Sequence, residues 1–270
     1  DLSAEVAGRS TLAALDALDA DPDTDLIMVI SKPPAPEVAG RVREHAAILR
    51  TPVEFALLGE GQPDLAAATS SAILRLSGAD VPVSPVSSAR SHGSPGGGRV
   101  GALRGLYCGG TLCDEAMVIA SAALGPVASN IPLRPDWRLA PGDHPTGHFM
   151  IDFGDDEYTR GRPHPMIDNG LRLDRLATEA ADPACGALLM DVILGHGAHP
   201  DPAGDLAPAI AAAVDGGRGP AVVVALIGTA GDPQGLARQE ESLRAAGATV
   251  FRANADAARH AATLADRGSA

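Results

Sequence analysis

Short, uninterrupted apolar runs alternate with segments of helical period along this chain, and that alternation constrains the fold more than any other feature. Leu26 to Ile30 reads Leu-Ile-Met-Val-Ile, and Ala221 to Ile227 reads Ala-Val-Val-Val-Ala-Leu-Ile. A half-buried strand would alternate polar and apolar residues, whereas a run apolar on both faces belongs to a strand covered on both sides. Parallel neighbours need crossover connections, which the intervening helices supply. The expected class is therefore α/β with parallel sheets.

The runs fall into two blocks. In the first, Thr11 to Asp19 carries Leu12, Leu15 and Leu18 at helical spacing, with Ser10 as its expected cap and Asp21-Pro22-Asp23 as its stop. Strand 26–30, helix 37–50, strand 53–58 and helix 65–76 follow. The second block is longer: strand 103–107, helix 112–124, strand 148–153, helix 171–181, strand 187–193, helix 206–214, strand 221–227, helix 234–246, strand 249–252 and helix 255–265. Five such units fit a flavodoxin-like sheet, whose ligands lie beyond the carboxyl ends of the strands, near the point where strand order reverses. From about Val81 to Gly98, Pro, Ser and Gly dominate, which reads as a linker. The expected division is 1–79, a linker over 80–100, and 101–270.

Composition narrows the partners. The net charge is −13, with 34 acids against 21 bases and Lys32 as the single lysine, so a broad basic face for nucleic acid is not expected. The longest apolar stretches, Ala116 to Ala128 and Pro220 to Gly231, fall short of the roughly 18–20 residues that span a bilayer. The first residues carry no signal-peptide pattern. Three cysteines, with Cys108 and Cys113 too far apart for a zinc knuckle, fit a reducing compartment. A cytoplasmic address, no membrane contact and no metal site are expected.

Three loops of the second block carry candidate chemistry. Tyr107-Cys108-Gly109-Gly110-Thr111 joins a strand directly to a helix, so backbone N–H groups at the helix start are placed to hold a phosphate or carboxylate. The plain alternative is a tight turn capped by Thr111. Leu194-Gly195-His196-Gly197-Ala198-His199 frees the backbone around His196, which can meet an anion or a proton. The alternative is a surface histidine beside a turn. Asp152 to Asp168 gathers carboxylates, Arg160, Arg162 and a proline-flanked His164 in a loop longer than a compact fold needs. Its arginines suit a phosphate or carboxylate, and the alternative is a solvated excursion. Its carboxylates lack the spacing of a dedicated cation loop. In the first block, Lys32 follows the strongest strand, where it can meet an anionic ligand or a facing domain; a solvated lysine is the alternative.

Several strings together resemble the FdrA family of acyl-CoA synthetase-like proteins in the succinyl-CoA synthetase superfamily. They are Thr11-Leu12, Asp21-Pro22-Asp23-Thr24 and Ser31-Lys32-Pro33-Pro34 in the first block. In the second they are Gly105 to Cys113, Asp152-Phe153-Gly154-Asp155-Asp156, Gly161 to Asp168, and Asp191-Val192-Ile193-Leu194-Gly195. The resemblance implies two flavodoxin-like ligase-type domains, the first without its opening strand, in a chain that begins after the family's N-terminal CoA-binding domain. It also implies a departure: the turn matching the superfamily's phosphohistidine site reads Gly59-Glu60-Gly61-Gln62-Pro63-Asp64, with no histidine.

By that resemblance the activity is acyl or carbamoyl transfer through an acyl-phosphate-type species, of the oxamate carbamoyltransferase kind in purine and allantoin breakdown. The alternatives are an acid–thiol ligase using nucleotide and CoA, and a non-catalytic scaffold. Gly109, Gly110 and Thr111 would hold the anion, Arg162 and His164 would contact the reacting group, and Gly195 with His196 would close the site. No covalently bound cofactor is expected; CoA or a nucleotide with Mg²⁺ belongs to the ligase alternative. Partners would be a small carboxylate with an acyl phosphate or CoA ester, in a homo- or hetero-oligomer.

Overall fold

A computed structural model of the chain describes residues 1–78, 99–140 and 142–266. It divides into two compact units, Asp1–Pro85 and Val86–Ala270. Most of the expected linker, residues 80–98, lies outside the described residues.

In the first unit, α1 (Arg9–Ala20), β1 (Ile27–Ser31), α2 (Pro36–Ala46), β2 (Val53–Leu57) and α3 (Leu65–Ser77) follow the expected order. β1 and β2 pair in parallel from Ile27↔Val53 to Ser31↔Leu57. Leu15, Ile27, Val29, Val38, Val42 and Leu57 form the core. Ser10 is not the cap of α1. Gly8, in the left-handed region, precedes the helix, and the Asp1 carboxylate accepts the Thr11 N–H at 2.9 Å and its hydroxyl at 2.7 Å. A carboxylate brought in from outside the helix thus does the work of a capping side chain.

The second unit contains β3 (Ala102–Tyr107), α4 (Gly110–Leu124), β4 (Ala128–Ser129), β5 (Phe149–Asp152), α5 (Asp156–Thr159), α6 (Gly170–Ala181) and β6 (Cys185–Ile193). α7 (Pro202–Val214), β7 (Ala221–Ile227), α8 (Leu236–Ala245), β8 (Thr249–Phe251) and α9 (Asn254–Asp266) complete it. The strands form one parallel sheet in the order β4-β5-β3-β6-β7-β8. Apart from the two-residue edge strand β4, which makes six strands among the described residues where five were expected, this is the flavodoxin order 2-1-3-4-5.

Alternation along each strand splits the core in two. Leu188, Met190 and Val192 of β6 and Val222, Val224 and Leu226 of β7 pack with Leu176, Leu206, Ile210 and Leu243 of α6, α7 and α8. Ala187 and Leu189, with Val223 and Ala225, pack on the other face against Ala116, Met117 and Ala120 of α4 and Ala257, Ala258 and Ala261 of α9. Small residues dominate the second layer, so α4 and α9 come close to the sheet and to each other. Each fully buried Leu, Ile or Val contributes roughly 1.5–3 kcal/mol, which is why these strands carry no polar face. The order reversal falls between β3 and β6, and the loops after β3, β5 and β6 therefore leave the sheet side by side. Among the described residues, no helix is long and apolar enough to cross a membrane.

Candidate functional site

The first loop is short because strand and helix nearly touch. β3 ends at Tyr107 and α4 begins at Gly110, with Gly109 at the N-cap position in extended backbone. Thr111 is therefore already inside the helix and does not cap it. Gly109 has no side chain to offer, so the first N–H groups of a 15-residue helix have no capping side chain. The start of α4 is fixed from α9: the Asn254 amide donates to the Leu112 carbonyl at 2.9 Å and to Glu115 Oε2 at 2.7 Å, while the buried Tyr107 hydroxyl donates to Asn254 Oδ1 at 3.1 Å.

The second loop, after β5, folds over the first. Its pivot is Gly154: a Cβ there would lie 2.7 Å from the Cys108 carbonyl oxygen, 2.8 Å from His164 Nε2 and 3.0 Å from Asp152 Oδ1. Only glycine leaves room for this approach. Asp152 is itself held, since the buried Asn130 side chain donates to its carbonyl at 3.0 Å and accepts its N–H at 2.9 Å, and Asp152 Oδ1 accepts the Gly154 N–H. His164 Nδ1 accepts the Met166 N–H at 3.2 Å, so in its neutral form the ring carries the proton on Nε2, the atom that lies beside Gly154. Met166 Cε comes within 3.6 Å of where a Cβ on Gly109 would stand, which lays this loop against the first.

The third loop follows β6 and is tied to the second, the His199 N–H donating to the Met166 carbonyl at 2.7 Å. Gly195 and Gly197 both have positive φ, 143° and 83°, as expected of glycines that free this turn. Gln234 fastens it by donating to the carbonyls of Gly195 and His199 and accepting the Gly195 N–H. The histidine engaged here is His199, not His196. Its Nδ1 accepts the Asp201 N–H at 3.1 Å, and Nε2 lies 3.1 Å from Asp205 Oδ2, which also receives the Asn169 amide. His196 itself is exposed.

Beneath the three loops sits a buried polar group. Asp191, fully buried near the end of β6, accepts the Cys108 N–H at 2.9 Å on Oδ1 and the Cys108 thiol at 3.2 Å on Oδ2. Arg172 of α6, 2% exposed, donates to the Asp191 main-chain carbonyl and lies 3.4 Å from Oδ1. Burial pushes the Asp191 carboxyl up, opposed by the Arg172 charge and the Cys108 bonds. Burial, reinforced by the Asp191 charge, pushes the Cys108 thiol well above its ordinary range. Cys108 is therefore held as a thiol that donates to Asp191, not as a reactive thiolate.

The structure thus brings Gly109, Gly110, Thr111, His164 and Gly195 to one edge of the sheet. Arg162 is exposed and lines a different cleft, of about 360 Å³, with Pro163, Pro165, Asp168 and Asp174. A second cleft of about 430 Å³ lies beside the loop's start, between Asn130 and Arg138 on one side and Asp155, Asp156, Glu157 and Arg160 on the other. Lys32 is exposed and belongs to the first unit. Asp191, Arg172 and Asn130 carry the site's framework; Asp191 heads one of the strings that carry the family resemblance, but none of the three had a role assigned from sequence. The available signal was a carboxylate inside the apolar run Leu188-Leu189-Met190-Asp191-Val192-Ile193.

A family model described as CoA-ligase matches residues 106–264. The uncharacterized protein YahF of Escherichia coli (strain K12) is 38% identical over 273 residues, covering 92% of this chain and 52% of that protein. The chain therefore spans about half the length of this relative. Among solved structures, PH0766 from Pyrococcus horikoshii OT3 is 15% identical over 96% of this chain and 55% of its own, with a TM-score of 0.40. The dinucleotide-forming acetyl-coenzyme A synthetase 1 of Ca. Korarchaeum cryptofilum is 16% identical, covering 96% and 58%, with a TM-score of 0.36. Methanosaeta concilii ATP citrate lyase is 15% identical, covering 97% and 38%, with a TM-score of 0.38.

Proposed function

The chain belongs to the CoA-ligase family, and from that premise we propose that it supplies ligase domains to an acid–thiol ligase, an enzyme that joins a carboxylic acid to CoA through an acyl phosphate. In that chemistry a carboxylate oxygen takes a phosphoryl group from a nucleoside triphosphate, releasing the nucleoside diphosphate. The CoA sulfur then bonds to the acyl carbon, the acyl C–O bond breaks, inorganic phosphate leaves and the thiol proton passes to solvent.

The observation that carries this reading is the uncapped start of α4. Gly109 offers no side chain to cap the first N–H groups of the helix, at the strand-order reversal, with two further loops packed beside it. Backbone N–H groups and the helix dipole at such a terminus suit a phosphate or acyl phosphate. Their orientation is fixed before the ligand arrives, which favours the charge that develops during transfer. His164 enters this reading as a donor: with Nδ1 occupied by the Met166 N–H, its proton sits on Nε2, and it steadies negative charge without accepting the phosphoryl group. Gly195 shapes the third wall. Arg162 and His196, both exposed on the same unit, serve approach and orientation of anionic substrates.

The FdrA likeness refines this to a branch of the same superfamily, and carbamoyl transfer to a small carboxylate is the competing chemistry within it. Membership in the CoA-ligase family favours thioester formation over carbamoyl transfer. The test is to incubate the full-length protein with ATP, CoA and a panel of carboxylic acids, and separately with carbamoyl phosphate and oxamate. We expect acyl-CoA with release of ADP and phosphate in the first mixture. Product in the second mixture alone overturns the proposal. Turnover in neither, with no binding of inorganic phosphate at Gly109–Thr111, overturns it in favour of a scaffold.

A further inference from the structure

We infer that Asp191 and Arg172 are positioning residues that set the Cys108–Thr111 loop for its anion, an inference that rests on the reading of that loop given above. The backbone ladder between β3 and β6 ends at Leu106↔Met190. Past that pair the strands part, as neighbours do where strand order reverses, and the Cys108 N–H is taken by a side chain. Asp191 Oδ1 accepts it at 2.9 Å, and Oδ2 accepts the thiol of the same residue at 3.2 Å. One carboxylate therefore grips both donors of the residue immediately before Gly109.

Arg172 extends the grip to the neighbouring loops. It donates to the Asp191 carbonyl and sits 3.4 Å from Oδ1. Its helix, α6, starts at Gly170, directly after the loop that carries His164. The strand that carries Asp191 runs into the Gly195 loop. A single buried couple thus meets the start of the first loop, the helix that follows the second and the strand that leads into the third. A pair of apolar side chains would fill the same space at no desolvation cost. The charged couple occupies the space although Arg172 Nε, 2% exposed as a residue, has no hydrogen-bond partner. That cost is understandable if the gain is a fixed direction for the loop N–H groups, since catalytic groups need their geometry held by a second layer of bonds.

Charge and geometry make opposite predictions, which is what allows a test. Removing the Asp191 charge leaves the Arg172 cation uncompensated, and by charge alone an anion would bind more tightly. Losing the grip on Cys108 lets the loop relax, so by geometry the anion binds more weakly. Cys108 offers a second, gentler handle: Cys108→Ser keeps the donor, whereas Cys108→Val keeps the apolar volume and removes the donor.

The experiment titrates inorganic phosphate into the ¹⁵N-labelled chain and follows the Gly109, Gly110 and Thr111 amides, with hydrogen exchange of those amides measured without phosphate. We expect Cys108→Ser to bind within about twofold of wild type, and Cys108→Val and Asp191→Asn to bind about tenfold more weakly, the scale of one hydrogen bond to a charged acceptor. Exchange at the three amides should accelerate about tenfold in both weak variants, with the Leu188 and Leu189 amides of β6 unchanged. Tighter binding by Asp191→Asn overturns the inference, because charge alone then governs. So does a wild-type-like Cys108→Val beside an impaired Cys108→Ser, the pattern of simple packing. If Asp191→Asn does not fold, the Cys108 pair decides. If the wild type shows no phosphate response at these amides, the anion reading of the loop falls; accelerated exchange in Cys108→Val would still support the grip, and unchanged exchange would overturn it.

Discussion

Substituting Gly154 by alanine tests whether the second loop truly rests on the first. The added methyl would meet the Cys108 carbonyl oxygen at 2.7 Å, His164 Nε2 at 2.8 Å and Asp152 Oδ1 at 3.0 Å, all closer than packed carbon normally tolerates. Two of the three neighbours are anchored. Cys108 is held to Asp191 through its N–H and thiol, and Asp152 is held by Asn130 through both main-chain groups. Relief must come from the His164 ring or from lifting the whole loop. Overpacking at such a site costs about 1–3 kcal/mol, which for a unit of this size lowers the thermal midpoint by roughly 2–12 °C.

Gly147→Ala is the control: that glycine has ordinary φ and no neighbour within 4 Å of an added Cβ, so its effect should be neutral or slightly stabilising. Urea and thermal unfolding of both variants supply the comparison. Because His164 is the one movable neighbour, Gly154→Ala should cost less in a His164→Ala background, by about 0.5 kcal/mol or more. Equal midpoints for the Gly154 and Gly147 variants would refute the loop contact, and strict additivity with His164→Ala would refute the inward placement of that ring.

Two further perturbations examine the framework below the site. Glu179, 2% exposed, lies between buried Arg104 and part-buried Arg175, whose Nε is 2.6 Å away; Glu179→Gln removes the charge they share, and since Arg104 keeps Asp182 at 2.9 Å the cost in urea unfolding should be about 3 kcal/mol, the low end for a broken buried pair. Arg134→Ala, which breaks the exposed pair with Asp136, should cost less than about 1 kcal/mol in the same assay. For pH, half-buried His148 accepts the Leu103 N–H on Nδ1 at 3.0 Å, and its pKa is lowered by burial and then by Arg104. A folded pKa below the unfolded value of about 6.5 means the contribution is present above that pH and is lost as pH falls through the folded value. His148→Asn keeps an acceptor but cannot titrate, so the loss of stability between about pH 7 and 5 should be smaller in that variant; an unchanged slope counts against the assignment.

The strands and helices of the larger unit were legible because periodicity is a local property. Leu103 to Tyr107 and Ala221 to Ile227 sit on strands β3 and β7 as read, since residues buried on both faces must be apolar wherever the strand runs. The Ala128–Ser129 edge strand escaped notice because two residues carry no period. The helix beginning at Pro202 starts four residues before the expected Leu206, since its opening turn is set by the Asp201 cap and not by an apolar stripe.

The placement of glycine loops at the ends of strands also follows from sequence alone, and with it the expectation that an anion would be met there. Which side chains serve that edge was decided elsewhere. His199 and not His196 is bonded into the third loop because Asp205 and Asn169 stand beside it. Arg162 lines a separate cleft together with Pro163 and Pro165, while the His164 ring between those prolines lies against Gly154. Asp191 finds Cys108 and Arg172 only because β3 and β6 are neighbours in the sheet and α6 packs near the end of β6. Spacing along a chain fixes which residues share a face of one element; strand order, set by the burial of the whole sheet, fixes which elements meet, and the chemistry of this edge lies in those meetings.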